Sequence, residues 1–183
     1  MVPRNIHLRP PIHLLNPGGR ALAIRVACRC CSGSVTDTPA QVGDRYDLTR
    51  RFTAADVSLF AGVSSDDNPM HTDEAYASQG RFGKCVVHGM LVGSLFSAIV
   101  GQRFPGSIYL SQTFDFRKPV YVGETVVATI EVQDVRASGR MLEFATSCTN
   151  EQGELAITGS ARALLPRSES RAGKVPVSRL SGP

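Results

Sequence analysis

The hydrophobic pattern of this chain changes period partway along. Arg45–Phe52, following Gly43, predicts a short strand. Thr53, with Asp56 three residues on, is a capping-box variant that opens a helix. Val57, Leu59, Phe60 and Val63 give that helix its apolar face up to Ser64. The polar stretch Ser65–Thr72, with Asn68-Pro69 inside it, predicts a loop. Asp73–Gln79 predicts a short helix stopped by Gly80. His88–Val100 (HGMLVGSLFSAIV) carries no Lys, Arg, Asp or Glu and sets Gly, Ser and Ala among Leu, Val, Phe and Ile. Apolar almost all round, it predicts a buried helix, ended by Gly101 and Pro105-Gly106.

From there the pattern alternates every second residue. Ser107–Phe116 lies between Pro105-Gly106 and Pro119. Glu124–Arg136 contains neither proline nor glycine. Ala137-Ser138-Gly139 turns the chain into Met141–Asn150, and Gln152-Gly153 turns it again into Glu154–Leu165. Three successive long strands joined by tight turns predict an antiparallel meander. One buried helix and such a sheet make an α+β domain, the sheet wrapped over the helix.

With 183 residues, 42% of them hydrophobic, the chain suffices for one domain with a core, and this excludes a disordered or collagen-like polymer. No stretch of eighteen apolar residues occurs, so no membrane insertion is expected. The net charge of +4 first suggests a nucleic-acid partner. Its placement argues otherwise. Residues 1–36 hold five Arg and no acidic residue, and the stretch from Arg167 onward is also basic. Residues 37–166 hold 11 Lys and Arg against 15 Asp and Glu, so the predicted domain is acidic and no nucleic-acid partner is expected. An Arg-rich, acid-free start is the signature of a mitochondrial or plastid transit peptide, here assigned to residues 1–40 as mitochondrial with a flexible arm as the alternative. Residues 41–166 form the domain, and 167–183, rich in Ser, Gly, Pro and Arg, read as a disordered tail. Cys28, Cys30 and Cys31 lack a second Cys or His pair at matching distance, so no metal is expected there.

The candidate chemistry sits in one loop and at one helix start. Asp66 and His71 stand five residues apart on a turn stiffened by Pro69. A carboxylate and an imidazole on one short loop can hold the same water, as a general acid/base pair does. The same residues also make an ordinary polar loop. His88-Gly89 then opens the apolar helix. Its first N–H groups are unpaired, the helix dipole favours negative charge there, and glycine permits close approach to the backbone. An oxyanion forming on a carbonyl would be stabilised at Gly89. His88 itself reads as structural.

The loop Asp66-Asp67-Asn68-Pro69-Met70-His71, followed by FGKCVVHGML over Phe82–Leu91, resembles the signature of MaoC-like (R)-specific enoyl hydratases. Phe104–Val126 is similar to the same family, and the likeness spans about residues 42–166. With the Arg-rich start, the chain resembles the mitochondrial (3R)-hydroxyacyl-thioester dehydratases of fatty-acid synthesis. The resemblance implies a hot-dog fold, with a long central helix wrapped by an antiparallel sheet, and a homodimer. It implies Asp66 and His71 as the catalytic pair, Gly89 as the oxyanion donor, Asn68 as the residue orienting the loop, and Ser97 as lining an acyl tunnel. It implies reversible dehydration of a (3R)-3-hydroxyacyl thioester in the mitochondrial matrix, without a cofactor. Asp67 adds a second carboxylate; the five-residue spacing favours Asp66.

Acyl carrier protein and CoA both present phosphopantetheine, so the pocket alone does not separate a dehydratase of synthesis from an enoyl-CoA hydratase of breakdown. The targeting segment favours the carrier protein, and Arg81, Lys84, Arg103, Arg117 and Lys118 are candidates for a basic face toward it. A non-catalytic hot-dog that only binds acyl thioesters is the remaining alternative.

Overall fold

The computed structural model describes residues 40–167; the stretches assigned to a transit peptide and a tail, and Cys28, Cys30 and Cys31, lie outside the described residues apart from Ala40 and Arg167. Strand β1 (Arg45–Arg51) precedes four helices, α1 (Ala54–Ser64), α2 (Pro69–Thr72), α3 (Glu74–Gln79) and α4 (Gly89–Arg103). Strands β2 (Ile108–Gln112), β3 (Asp115–Phe116), β4 (Thr125–Arg136), β5 (Met141–Thr149) and β6 (Leu155–Leu164) follow. All pair antiparallel in the order β1-β4-β5-β6-β2, with β3 also on β6. The expected meander is β4-β5-β6, and this is the hot-dog arrangement of one sheet around one long helix.

Alternation along β4 sends Val126, Ala128, Ile130 and Val132 into the core, while β5 contributes Leu142, Phe144 and Cys148. They pack against Val92, Leu95, Phe96, Ile99 and Val100 of α4, spaced as one helical face. Small side chains at Ala128, Ala156, Ala161 and Ala163 let the sheet wrap the helix closely. The helix is therefore covered on one side, not all round as its composition suggests. Met90, Ser94, Ser97 and Gly101 form an exposed stripe on the other.

Two local differences from the sequence reading have physical causes. The loop over 65–72 contains the helical turn α2, with Asn68 accepting from the Met70 N–H at 3.3 Å and Pro69 in the first turn. The single strand expected over Ser107–Phe116 is divided. A register shift falls between Tyr109 and Ser111, and the Thr113 carbonyl oxygen crosses β6 where Gly159 has no side chain. A Cβ there would stand 1.9 Å from that oxygen.

Candidate active site

A cavity of about 760 Å³ lies between α1, α2, the start of α4 and residues 116–120. Asp66, His71 and Gly89, predicted from two separate stretches, all line it. Ser65, with φ of 61°, turns the chain sharply out of α1 and aims the next residue into the cavity. Asp66 donates its N–H to Ser64 Oγ at 3.2 Å and accepts from His88 Nε2 on its carbonyl at 3.0 Å. Its Oδ1 accepts from the Asn68 N–H at 3.4 Å. Asn68 thus orders the loop from both its backbone and its side chain. Asp67 is exposed and does not line the cavity.

His71 projects from α2. Its Nδ1 lies 2.7 Å from the Val86 carbonyl oxygen. A carbonyl only accepts, so Nδ1 carries the hydrogen and the lone pair of the neutral ring is on Nε2. That atom lies 4.0 Å from Asp66 Oδ2. An oxygen about 2.8 Å from each would see them at an angle of about 90°, close to the span between the two hydrogens of water. The spacing suits one shared water or hydroxyl.

Gly89 is the first residue of the fifteen-residue α4, so its N–H has no carbonyl partner within the helix. The approach that its missing side chain permits is made by a ring. A Cβ on Gly89 would meet Phe116 Cε1 at 2.5 Å, and one on Gly93, a turn later, would meet Phe114 Cε1 at 2.6 Å. Phe114 and Phe116 stack with ring centroids 5.7 Å apart. Phe116 also lines the cavity, beside Gly89.

Ser97 is not brought into the cavity. Eight residues beyond Gly89, it is displaced about 12 Å along the axis and turned about 80° around it. It lies on the exposed stripe, its hydroxyl donating to the Ser94 carbonyl at 2.9 Å. Of the five basic residues considered for a carrier-facing surface, Arg81, Arg117 and Lys118 line the cavity and Lys84 does not. Arg103 is at the far end of α4, over the Tyr46 ring. Arg117 faces Asp115 at 3.6 Å and Lys118 pairs with Glu154. Sequence reasoning missed the Val86 carbonyl, because a main-chain partner leaves no trace in residue type. It also missed the Phe114-x-Phe116 spacing, whose two rings stack on each other and meet Gly93 and Gly89.

Asp66, His71 and His88 present polar atoms within 4.8 Å of one another. His88 Nε2 is committed to the Asp66 carbonyl, and its Nδ1 is buried. That leaves Asp66 Oδ2 and His71 Nε2 aimed at the cavity, short of the three protein ligands of a zinc site. The arrangement suits proton transfer better than metal binding.

Residues 37–152 match the family model described as MaoC like domain. The (R)-specific enoyl-CoA hydratase of Aeromonas caviae is 44% identical over 128 residues, covering 69% of this chain and 96% of that protein. The mitochondrial 3-hydroxyacyl-[acyl-carrier-protein] dehydratase of Arabidopsis thaliana is 38% identical over 141 residues, covering 75% and 85%. The solved (R)-hydratase from A. caviae involved in PHA biosynthesis superposes with a TM-score of 0.68 at 43% identity, covering 69% of this chain and 98% of that one.

Proposed function

Since the chain belongs to the MaoC-like family and has its hot-dog fold, we propose that it interconverts (3R)-3-hydroxyacyl thioesters and trans-2-enoyl thioesters on Asp66, His71 and Gly89. Its relatives are hydratases and dehydratases, and it is a hydro-lyase. The observation that carries the reading is the 4.0 Å separation of His71 Nε2 and Asp66 Oδ2 in a cavity that Gly89 also lines.

In the hydration direction a water donates one hydrogen to each member of the pair and turns an oxygen lone pair to C3. As the C–O bond forms, one of them takes a proton, and the pair returns one to C2. Charge that builds on the thioester oxygen is met by the Gly89 N–H and the helix dipole. Dehydration runs through the same groups in reverse. His71 Nε2, with Nδ1–H fixed on Val86, can accept a proton and give it back from the same atom. The adjacent carboxylate balances the imidazolium.

Mitochondrial synthesis on acyl carrier protein is the favoured role. It is supported by the acid-free Arg-rich start and by the plant mitochondrial relatives. Arg81, Arg117 and Lys118 at the cavity suit an anionic carrier. The second reading, an (R)-specific enoyl-CoA hydratase, is favoured by the 44% identity to the A. caviae enzyme. The β2–β3 edge exposes Ile108, Leu110 and Phe116, and an apolar sheet edge seeks a partner, which supports an isologous homodimer.

The test measures kcat/KM in both directions on matched carrier-protein and CoA substrates, for the native chain and for D66N, H71A, the double variant and D67N. Losing either member of the pair should cost about 10²–10⁴-fold, with the double variant little worse and D67N near native. A larger native kcat/KM on CoA selects the second reading. Full activity in D66N and H71A at native stability overturns the mechanism and leaves a thioester-binding protein.

A further inference from the structure

We propose that His88 is a positioning residue that sets the Asp66–His71 geometry through one hydrogen bond and one ring face. The proposal rests on the hydro-lyase reading of that pair. His88 is 2% exposed, the N-cap of α4, and makes no capping bond with its side chain. Its Nε2 lies 3.0 Å from the Asp66 carbonyl oxygen, which can only accept, so Nε2 carries the hydrogen. Nδ1 is then a bare lone pair, buried and without a hydrogen-bond partner among the described residues. A buried unsatisfied polar atom is a cost that an apolar side chain of this size would avoid. Filling space does not account for a histidine here; holding the Asp66 carbonyl does.

The second contact is with His71. The two imidazole rings stack with centroids 3.8 Å apart and planes 26° from parallel. On another side His88 meets Phe60 of α1, with centroids 5.1 Å apart. His88 therefore touches the backbone of one reactive residue and the ring of the other, and is itself wedged against α1. Asp66 follows the left-handed Ser65, and the two peptide units that flank it are each held from outside. Ser64 Oγ holds the preceding one through the Asp66 N–H, and His88 holds the following one through the Asp66 carbonyl. Without the His88 bond the Asp66–Asp67 peptide can rotate, and the carboxylate leaves its place opposite His71 Nε2. Displacing a reacting group by about 1 Å can cost on the order of 10²-fold in rate.

Glutamine and asparagine separate this role from simple burial. The amide nitrogen of Gln falls near the position of Nε2, while that of Asn falls near Nδ1 and stops short of the carbonyl. H88N and H88F should lower kcat by about 10²-fold with KM little changed, and H88Q should recover most of it. A loss confined to KM, unchanged kcat in H88N or H88F, or H88Q no better than H88N would overturn the assignment. A measurement on the native full-length chain needs no variant to fold: ¹⁵N-imidazole spectra should show His88 protonated at Nε2 and bare at Nδ1. The opposite tautomer also overturns it. D66N in the same activity assay reports on the hydro-lyase reading separately, so the failure of one is distinguishable from failure of the other.

Discussion

Replacing Gly89 by alanine separates two reasons for a glycine at the start of α4. The substitution keeps the backbone N–H and adds one methyl group. That methyl would stand 2.5 Å from Phe116 Cε1 and 3.0 Å from both Cδ1 and Cζ. Ordinary carbon–carbon contact is about 3.5–4.0 Å, so the ring must retreat by roughly 1–1.5 Å. Phe116 is 54% exposed and can do so. The strain then falls near the low end of the roughly 1–3 kcal/mol for overpacking. Restricting the unfolded chain returns about 0.4–1 kcal/mol. Net destabilisation of about 0–2 kcal/mol is expected, with a drop in the thermal midpoint of less than about 8 °C. Catalysis should respond far more. With the methyl beside the N–H, a carbonyl loses its close approach to the donor, at a cost of about 10²–10³-fold in kcat. Hydration of an enoyl thioester, followed by loss of its ultraviolet absorbance, measures this directly. Adding F116A to G89A removes the clash and should restore the thermal midpoint but not kcat. If kcat returns as well, the glycine serves to seat the phenylalanine ring, and the oxyanion role of Gly89 is refuted. Unchanged kcat in G89A alone refutes it too.

Asp56 closes the capping box of α1: its carboxylate accepts from the Thr53 N–H at 2.8 Å and from the Thr53 hydroxyl, and Arg50 pairs with it. Burial pushes this carboxyl up, but the Thr53 and Arg50 contacts outweigh it and hold it below its ordinary value. Its contribution is therefore present above the unfolded carboxyl's range and lost as pH falls through the folded one. D56N should cost about 1 kcal/mol at neutral pH, and the gap to the native chain in denaturant melts should close below about pH 4; a gap that persists at acid pH counts against the capping account. Expressed in cells, the full chain should enter mitochondria, lose a segment within about residues 1–40, and size by light scattering as twice the mature monomer; a cytosolic, full-length or monomeric active product contradicts the corresponding part.

Much of the fold was legible because it rests on local pattern. The alternation in Glu124–Arg136 and the turn residues at 137–139 and 152–153 fix β4, β5 and β6 nearly to the residue. Thr53 and Asp56 mark the start of α1 with side chains that the structure shows bonded to each other. What escaped depends on contacts between distant segments. The kink between β2 and β3 arises where Thr113 crosses Gly159. The open side of α4 is set by where the sheet stops, and composition gave no hint of it. Ser97 fell on that side for the same reason. The loop residues Asp66 and His71 could be chosen from spacing, yet the atom that fixes the His71 tautomer is the carbonyl of Val86. Any residue at position 86 except one that distorts the chain would offer that oxygen.

The segment Cys85–His88 explains how two stretches some twenty residues apart make one site. On one side the Val86 N–H donates to the Met70 carbonyl, the Val86 carbonyl accepts from His71, and His88 donates to the Asp66 carbonyl. On the other, the Val87 N–H donates to the Val120 carbonyl and the Val122 N–H to the Cys85 carbonyl. Four residues are thus bonded across both flanks, as a strand would be, and they end on Gly89. The Asp66–His71 loop and the start of α4 are therefore tied to one bonded segment. That matters for the proposed reaction, which needs a proton moved and an oxyanion held in one geometry, because groups on independent loops would have to be brought together in each turnover. It also predicts where the site is fragile: V122P, which removes the N–H donated to the Cys85 carbonyl, should disturb the loop and the helix start together and lower kcat, without touching Asp66, His71 or Gly89.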